Sequence, residues 1–263
     1  MTPMFFGASE SPLFGVLHEP EGDARGHGVL LCPPIGQEHV RAHWAFRQIA
    51  QALSRAGFHC LRFDWFGAGD SAGDLASASI ERWLDDAKAA ARELRDAASV
   101  RKISVVGLRM GATLAALAAP RIKPVCAVLW DPVVSGERHI AELGRLEEEL
   151  LSTAGRFWLA KKRAPRPSEL VGFDYGHALI EEIGHLDIGR IAAMPRTRVC
   201  LLDSSSSPER AALGEALRAR GLTVEEHETG VRGRWLDPDE IEEMLLPADA
   251  LRTIVDYLER ESA

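Results

Sequence analysis

The sequence predicts an α/β protein with one mostly parallel β-sheet and helices on both of its faces. Short apolar runs, which are typical of buried strands, alternate with longer segments of helical periodicity. The chain has 263 residues, 46% of them apolar and 27% charged, which suits one large α/β domain with a substantial core. The alternation breaks once, between residues 135 and 195, and this break indicates an insertion between two strands.

The strands are predicted from short apolar or β-branched runs bounded by turn residues. In chain order they are Phe14–Leu17 (a hairpin strand), Gly28–Cys32, Phe58–Phe63, Ile103–Gly107, Val125–Trp130, Val199–Asp203 and Thr223–Glu228. Strands that alternate with helices in this way run parallel and have right-handed crossovers. With the hairpin, we expect a sheet of eight strands.

The helices are predicted where apolar residues recur every three to four positions. They are Val40–Arg55, Ile80–Leu94, Ala112–Ala119, Ile140–Leu151, Ala178–Leu186, Pro208–Arg220 and Ala248–Glu259. Gly57 follows the first helix and is typical of a residue that ends one.

Residues 135–195 contain a charged helix, a basic turn at residues 161–167 and a second short helix. We expect this insertion to form a helical lid over the carboxyl edge of the sheet, because ligands of open α/β sheets bind outside those strand ends. The alternative is a surface insertion without a role in binding. The predicted division is a core of residues 1–134 and 196–263 with a lid of residues 135–195.

Composition and charge exclude several classes of protein. The formal charge is −8, from 39 acidic and 31 basic residues, which gives no support for nucleic-acid binding. No apolar run approaches the roughly 18 residues that a membrane span requires. Residues 1–6 have no basic region and no long apolar stretch, so a secretory signal is not expected. We therefore predict a cytoplasmic protein without a membrane span.

The spacing of cysteines and histidines predicts neither a metal site nor a cofactor. The four cysteines are far apart in the chain and are typical of reduced, buried thiols; they are Cys32, Cys60, Cys126 and Cys200. His39 and His43 have the i, i+4 spacing of two zinc ligands on a helix, but the glutamate of H-E-x-x-H and a third ligand are missing.

One Gly-x-Ser-x-Gly sequence, Gly69–Gly73, contains Ser71. This motif positions a nucleophile only where a strand enters the turn and a helix leaves it. Here the preceding strand ends at Phe63, a loop intervenes, and no helix is predicted until about Ser79. We therefore predict that Ser71 turns the chain or caps a helix, and a role as nucleophile is kept only as the alternative.

A second segment has the strand–turn–helix context but a different central residue. The strand Ile103–Gly107 leads directly into the helix Ala112–Ala119, and Gly107 and Gly111 allow the two elements to approach closely. The central residue is Arg109, whose guanidinium stays protonated and has no lone pair with which to attack. This corner therefore cannot form an acyl-enzyme through its central residue.

Three segments, one of which contains this corner, carry a family pattern. They are CPPIGQE at residues 32–38, GLRMGA at residues 107–112 and WDPVVSG at residues 130–136. With the turn Asp64–Ser71 and the predicted lid, they make the chain resemble an α/β-hydrolase over nearly its whole length. More narrowly, they resemble serine-aminopeptidase-like hydrolases associated with exosortase and exopolysaccharide systems, in which Arg at the corner is usual. The resemblance implies an α/β-hydrolase fold with a lid, and a setting in polysaccharide or secondary-metabolite systems.

The chain departs from the usual α/β-hydrolase pattern at all three catalytic positions. That pattern has a nucleophile at the corner, an acid after the strand that ends here at Asp203, and a histidine after the last strand. Here the corner holds Arg109, residues 204–208 include no carboxylate, and residues 230–237 include no histidine. A Ser-His-Asp relay in the usual geometry is not expected, although Asp203 itself could partly substitute for the acid.

Arg109 is the centre of the predicted site. In the usual strand order of this fold, neighbouring strands lie about 4.8 Å away on each side. The residues just beyond their ends are Glu38, His39 and Asp131. A cation at the start of a helix is unfavourable by about 0.3–1 kcal/mol unless an anion is near. Two interpretations stay open: Arg109 pairs internally with Asp131 or Glu38, or it binds a ligand carboxylate or phosphate.

Two other groups of residues complete the candidate site. The backbone N–H groups of Ile35 or Gly36, together with that of Met110, could form an oxyanion hole, since the two prolines before them have no N–H. Cys32 ends a strand at the rim and could be a thiol nucleophile, although a thiol there is more often packed in the core.

Three functions remain open from the sequence. The first is a hydrolase or acyl-transfer-type enzyme for an ester, thioester or amide with an anionic group, in which Arg109 polarises the acyl group and Asp131, Glu38 or His39 activates water. The second is a non-catalytic protein that binds an anionic metabolite, a carrier-tethered acyl group or a protein partner. The third is a hydrolase that uses one of the displaced nucleophiles, the serine at 71 or the cysteine at 32.

Overall fold

Ten β-strands occur in the residues that this computed structural model describes, which are 1–152, 168–230 and 248–262. They are β1 (Thr2–Ala8), β2 (Ser11–His18), β3 (His27–Cys32), β4 (His59–Phe63), β5 (Lys102–Leu108), β6 (Cys126–Trp130), β7 (Glu169–Leu170), β8 (Phe173–Asp174), β9 (Arg198–Asp203) and β10 (Thr223–Glu228). Eight form one sheet in the order β1-β2-β4-β3-β5-β6-β9-β10. Only the pairings of β1 with β2 and of β2 with β4 are antiparallel in it, so the predicted mostly parallel, eight-stranded sheet is confirmed.

The helices of the described ranges cover both faces of the sheet. They are α1 (Gly36–Arg55), α2 (Ile80–Ala97), α3 (Met110–Ile122), α4 (Gly136–Ser152), α5 (His177–Gly184), α6 (Ile188–Ile191), α7 (Pro208–Ala219) and α8 (Ala248–Ser262). α1 and α8 pack on one face, and α2, α3 and α7 pack on the other. No helix in these ranges combines the length and the apolar composition that crossing a bilayer requires.

The central strands are buried on both faces because they are apolar throughout. Along β3, Val29 and Leu31 pack on the side of α1 and α8, whereas Leu30 and Cys32 pack on the opposite side. Successive side chains of a strand point to opposite faces, so one continuous apolar run supplies both cores. The parallel strands β3, β5, β6 and β9 all end at the same edge of the sheet, where the loops that follow them meet.

The start of α1 differs from the prediction. The helix begins at Gly36 rather than at Val40, because Ile35 provides an extended N-cap and Glu38 lies in the first turn, where the helix dipole favours a carboxylate. Glu38 and His39 therefore lie on a helix and not in a loop. β1 is the expected hairpin partner of β2, although its bounds were not predicted. The small β7–β8 hairpin was not predicted.

The segment between β6 and β9 interrupts the alternation of strands and helices, as the sequence indicates. It contains α4, the β7–β8 hairpin, α5 and α6. The Gly136 N–H donates to the Leu186 carbonyl at 2.9 Å, and a side chain at Gly136 would collide with the Ile183 carbonyl, so α4 begins in close contact with the end of α5. The Thr113 hydroxyl donates to the Val133 carbonyl at 2.8 Å and fixes the loop before α4 onto α3.

Two of the predictions concern residues outside the described ranges. These are the basic turn at residues 161–167 and most of the loop at residues 230–237, where the usual histidine is missing from the sequence. The division into a core of residues 1–134 and 196–263 and a lid of residues 135–195 stays a prediction.

Acidification is expected to destabilise this fold, because buried histidines are neutral in it. Burial lowers the pKa of His27 to about 4, with Lys102 adding to the effect, and the ring shares a 2.9 Å hydrogen bond with Ser104. The unfolded chain takes up a proton near pH 6.5, so stability is complete above that pH and falls as the pH drops toward 4. We expect the free energy of unfolding, measured in urea, to fall by on the order of 1–2 kcal/mol for such a histidine between pH 7 and pH 5.

A pair of variants separates this contribution from the rest of the chain. His27→Leu should reduce the pH dependence, and His177→Leu, at an exposed position, should leave it unchanged. Burial also lowers the pKa of His18 to about 4, so part of the pH dependence of stability remains in both variants. Equal slopes of stability against pH in the wild type and in His27→Leu would contradict the assignment.

Candidate active site

Arg109 forms the corner between β5 and α3, at the carboxyl edge of the sheet. Its backbone has φ 53° and ψ −124°, a conformation that costs a residue with a Cβ on the order of 1–3 kcal/mol. A side chain at Gly107 would collide with the first turn of α3, and one at Gly111 would collide with the carbonyls of Cys32 and Pro33. The strand–turn–helix corner is therefore formed, with the close approach that its small residues predict.

Two carboxylates neutralise the Arg109 guanidinium. Its Nε donates to Glu38 Oε1 at 2.7 Å, and its Nη2 lies 3.5 Å from Glu142 Oε2. The Glu38 side chain is 2% exposed, whereas that of Glu142, on α4, is 45% exposed. Burial opposes the charged form of Arg109, but Glu38, Glu142 and Asp131 outweigh it and raise the pKa of the guanidinium. Of the internal pairs considered from the sequence, the one with Glu38 is formed.

A second arginine joins the carboxylates at the ends of β6 and β9. Arg210 Nη1 lies 3.0 Å from Asp131 Oδ1, and Nε lies 2.7 Å from Asp203 Oδ1. The latter contact is an ion pair without hydrogen-bond geometry. The Ser204 N–H donates to Asp131 at 2.9 Å. Burial raises the pKa of Asp203 to about 6 against the opposing charge of Arg210, and Asp131 adds to the rise.

A small cleft of about 70 Å³ lies beside these groups. It is lined by Arg109, by the loop after β6, by α4 and by the start of α7. From α4 come Arg138, His139 and Glu142. Arg138 Nη2 pairs with Glu209 Oε1 on α7 at 2.6 Å, so two ion pairs join α4 to the core beside the cleft.

His139 is a buried member of this lining. The residue is 3% exposed, and its Nδ1 has no hydrogen-bond partner among the described residues. Burial lowers the pKa of His139 to about 3, with Arg109 adding to the effect and Glu142 opposing it. The imidazole is therefore neutral at physiological pH. Glu38 Oε2 is a second buried polar atom without a partner in the described part of the chain.

His39 is engaged at a different strand end from the one that carries Arg109. Its Nε2 lies 3.2 Å from Asp64 Oδ1, and Asp64 follows β4, on the far side of β3. The ring is thus held by the neighbouring loop. Across the described residues, no group of three or more His, Cys, Asp or Glu side chains is arranged to hold a metal ion.

The predicted oxyanion-hole residues lie at the starts of two helices. Ile35 and Gly36 begin α1 and Met110 begins α3, and the first N–H groups of a helix have no acceptor within it. Gly36 has φ 56°, and a side chain there would collide with the Tyr175 hydroxyl. Tyr175 belongs to the segment inserted between β6 and β9 and is buried. The inserted segment therefore covers this part of the predicted site.

Cys32 and Ser71 lack the features of an activated nucleophile. Cys32 is fully buried, and burial raises the pKa of its thiol, so the reactive thiolate is disfavoured. The Ser71 hydroxyl donates to the Asp64 carbonyl at 2.6 Å and accepts the Phe14 N–H at 2.9 Å. Ser71 therefore fixes its turn to β2, in agreement with the turn role predicted from the sequence.

The side chains that α4 and α7 bring to the cleft were not among the predicted site residues. His139 and Glu142 are three residues apart and so share a face of α4, but a charged helix gives no sign of which face is buried. For Arg210, the position in its helix could have indicated a nearby carboxylate. It lies in the first turn of α7, where a cation is unfavourable without a nearby carboxylate, and Asp131 and Asp203 provide that carboxylate.

Comparison with known families gives a match. The model of the Hydrolase_4 family, described as serine aminopeptidase S33, matches residues 37–169, which is half of the chain. The matched residues extend from the first turn of α1 to β7 and include the β5–α3 corner and α4. Comparison with curated proteins gives no match.

Solved structures of hydrolases share the fold at low sequence identity. Est1E of Butyrivibrio proteoclasticus, solved with ferulic acid, is 13% identical, with 98% of each chain covered and a TM-score of 0.66. The Pyrococcus furiosus esterase Pf2001 is 16% identical, with 100% of this chain and 91% of that chain covered and a TM-score of 0.68. Proline iminopeptidase of Mycobacterium smegmatis is 14% identical, with 99% of each chain covered and a TM-score of 0.66. At this level of identity the likeness establishes the fold and not the activity.

Removal of the Arg109 charge is expected to destabilise the protein, because it leaves Glu38 as an uncompensated buried carboxylate. Arg109→Gln should lower the free energy of unfolding in urea by about 3–5 kcal/mol, and Glu38→Gln/Arg109→Gln should recover most of the loss. The matched control is Arg92→Gln, because Arg92 pairs with Asp96 on the exposed side of α2. That change should cost less than about 0.5 kcal/mol. Similar small losses in both single variants would show that the buried pair does not stabilise the corner.

Proposed function

The chain belongs to the serine aminopeptidase S33 family, and on that basis we propose that it is a hydrolase or acyl-transfer-type enzyme for an ester, thioester or amide substrate with an anionic group. The observation that carries this proposal is the position of Arg109 at the β5–α3 corner, beside the cleft. In α/β-hydrolases this corner holds the nucleophile. A guanidinium there cannot attack an acyl carbon, but it can bind and polarise the acyl oxygen.

Without a Ser-His-Asp triad, the attacking group in this proposal is a water molecule. Glu38 is the best placed of the three predicted bases, because it contacts Arg109 and its Oε2 has no partner among the described residues. Asp131 is engaged by Arg210, and His39 by Asp64.

The proposed reaction is a single addition and elimination at the acyl carbon. Glu38 takes a proton from water while the water oxygen forms a bond to that carbon, and the C=O electron pair moves onto the oxygen held by Arg109. Collapse of this intermediate breaks the bond to the leaving alcohol, thiol or amine, which receives the proton from Glu38. In acyl transfer, an alcohol, thiol or amine takes the place of water.

We also propose that the inserted segment, within residues 135–195, acts as a lid. The Arg109–Glu142 and Arg138–Glu209 pairs join α4 to the core, and the cleft of about 70 Å³ is well below the roughly 300 Å³ of a pocket for a whole small molecule. α4 therefore has to shift before a substrate can enter. The substrate would be a small molecule or a carrier-tethered acyl group, in a cytoplasmic protein of a polysaccharide or secondary-metabolite system.

A specific observation favours a second function, the non-catalytic binding of an anionic metabolite, a carrier-tethered acyl group or a protein partner. Arg109 is already neutralised by two carboxylates, and the displaced nucleophiles considered from the sequence are unsuited to attack. Cys32 is buried as a thiol, and Ser71 is engaged by two backbone groups. Such a protein would keep the cleft as a binding site and lack turnover.

Turnover of p-nitrophenyl esters, thioesters and anilides, each with and without a terminal carboxylate, tests the proposal. We expect hydrolysis of at least one carboxylate-bearing compound, unchanged by prior treatment with a fluorophosphonate, because no serine attacks. Arg109→Gln should lower kcat/KM by about 10²–10³-fold, as the loss of an oxyanion donor does. The folded double variant Glu38→Gln/Arg109→Gln should be at least as impaired, and Arg92→Gln should retain activity.

Other outcomes of the same panel decide between the alternatives. Covalent labelling of Ser71 or Cys32 that abolishes turnover would establish a displaced nucleophile and overturn the proposal. Saturable binding of the carboxylate-bearing compounds, lost in Arg109→Gln and without turnover of any of them, would establish the non-catalytic binder.

A further inference from the structure

One face of α4 brings three polar side chains to the cleft. They are Arg138, His139 and Glu142. Glu142 comes four residues after Arg138 and three after His139, so it lies beside both on the helix surface. Arg138 is occupied by Glu209 at 2.6 Å. His139 and Glu142 both interact with the charge of Arg109.

The contact between Arg109 and Glu142 is loose. Its 3.5 Å separation exceeds the roughly 2.7–2.9 Å of a charge-assisted hydrogen bond, whereas Glu38 binds Nε at 2.7 Å. The Glu142 side chain is also far more exposed than that of Glu38. The outer part of the guanidinium is therefore neutralised by the carboxylate that is easier to displace.

His139 lines the cleft and carries a buried hydrogen-bonding atom, Nδ1, that has no partner within the described ranges. A buried polar atom without a partner costs free energy, and such atoms in proteins commonly face a ligand or an ordered water. Because the ring is neutral, its Nδ1 can carry a proton and donate it to an oxygen in a hydrogen bond.

We propose that Arg109 and His139 together form a receiving site for a ligand carboxylate, and that Glu142 is the internal stand-in for that carboxylate. On binding, the ligand replaces Glu142 at Nη2 of Arg109. The shift of α4 that admits the ligand uncovers Nδ1 of His139, which donates a hydrogen bond to the ligand carboxylate. Glu142 then turns toward solvent. The inference rests on the proposed function in two respects, which are the anionic group of the ligand and the shift of α4.

An exchange of carboxylates explains how an anion can bind in a cleft that is already rich in acidic groups. Because one carboxylate replaces another, the charge around Arg109 stays the same, whereas an added anion would be repelled by Glu142. Pro132, Val133 and Val134 line the same cleft. Its volume of about 70 Å³ is several times the roughly 10–15 Å³ that one water molecule requires, and it is well below the roughly 300 Å³ of a pocket for a whole small molecule. The ligand class that fits is a short-chain aliphatic carboxylate, or the end of a larger acid.

Binding of butyrate to the full chain, measured by calorimetry or NMR titration, tests the stand-in role. Glu142→Gln should bind butyrate about two- to fivefold more tightly than the wild type, because the internal competitor has lost its charge. Glu148→Gln removes the same charge from an exposed position of α4 and should leave the affinity unchanged. Butylamine, which has a similar chain and the opposite charge, should not compete.

A second set of variants tests the role of His139. His139→Leu should weaken butyrate binding by about tenfold or more, since a hydrogen bond to a charged group is lost. His139→Asn should recover much of the affinity, because the amide N–H₂ of asparagine lies near the place of the histidine Nδ1. A purely structural role of His139 does not predict this recovery. His177→Leu changes an exposed histidine of α5 and serves as the control.

The outcomes separate this inference from the proposed function. Butyrate affinity that is unchanged or weaker in Glu142→Gln, or equal in His139→Leu and the wild type, overturns the inference. So does the absence of butyrate binding in both the wild type and Glu142→Gln. If His139→Leu does not fold, His139→Asn and Glu142→Gln decide. The proposed function fails independently if Arg109→Gln leaves turnover unchanged, whatever butyrate does.

Discussion

The ion pair between Arg109 and Glu38 is the interaction on which the candidate site depends. A guanidinium packed among apolar strand ends is tolerated only beside a carboxylate, because burial of an isolated charge is unfavourable. Glu38 meets that requirement from the first turn of α1, where the helix dipole also favours a negative charge. Arg109 precedes α3, where the dipole disfavours a positive charge. One pair thus compensates the ends of two helices on opposite faces of the sheet.

This pair also determines which part of the guanidinium remains available. Glu38 holds Nε, while Nη2 lies next to Glu142 of α4. The position of α4 is therefore coupled to the charge at the β5–α3 corner. Tyr175 extends the same coupling to the start of α1, since its hydroxyl lies over Gly36. The inserted segment thus contacts both helix starts that an oxyanion hole would use.

The fold tolerates a change of chemistry at this corner because the fold and the chemistry depend on different residues. The sheet needs apolar strands and small residues at Gly107 and Gly111, where α3 approaches the ends of β3 and β5. It places no comparable demand on the side chain of Arg109, which lies beyond the strand ends beside Glu38 and Glu142. Solved hydrolases with only 13–16% identity therefore share the architecture, and function has to be argued from the site.

The sequence alone determined the sheet, most of its strands and the corner at Arg109. The alternation of strands and helices, the helical periodicity and the glycines that let β5 and α3 approach are all local properties of the sequence. With the strand order that the family resemblance implies, the sequence also placed Glu38 near Arg109, since neighbouring parallel strands end at one edge. Only the tertiary structure decided that His39 joins Asp64 and that His139 and Glu142 join Arg109. The reason is physical: the orientation of α4 over the sheet depends on packing against α5, and no periodicity within α4 encodes it.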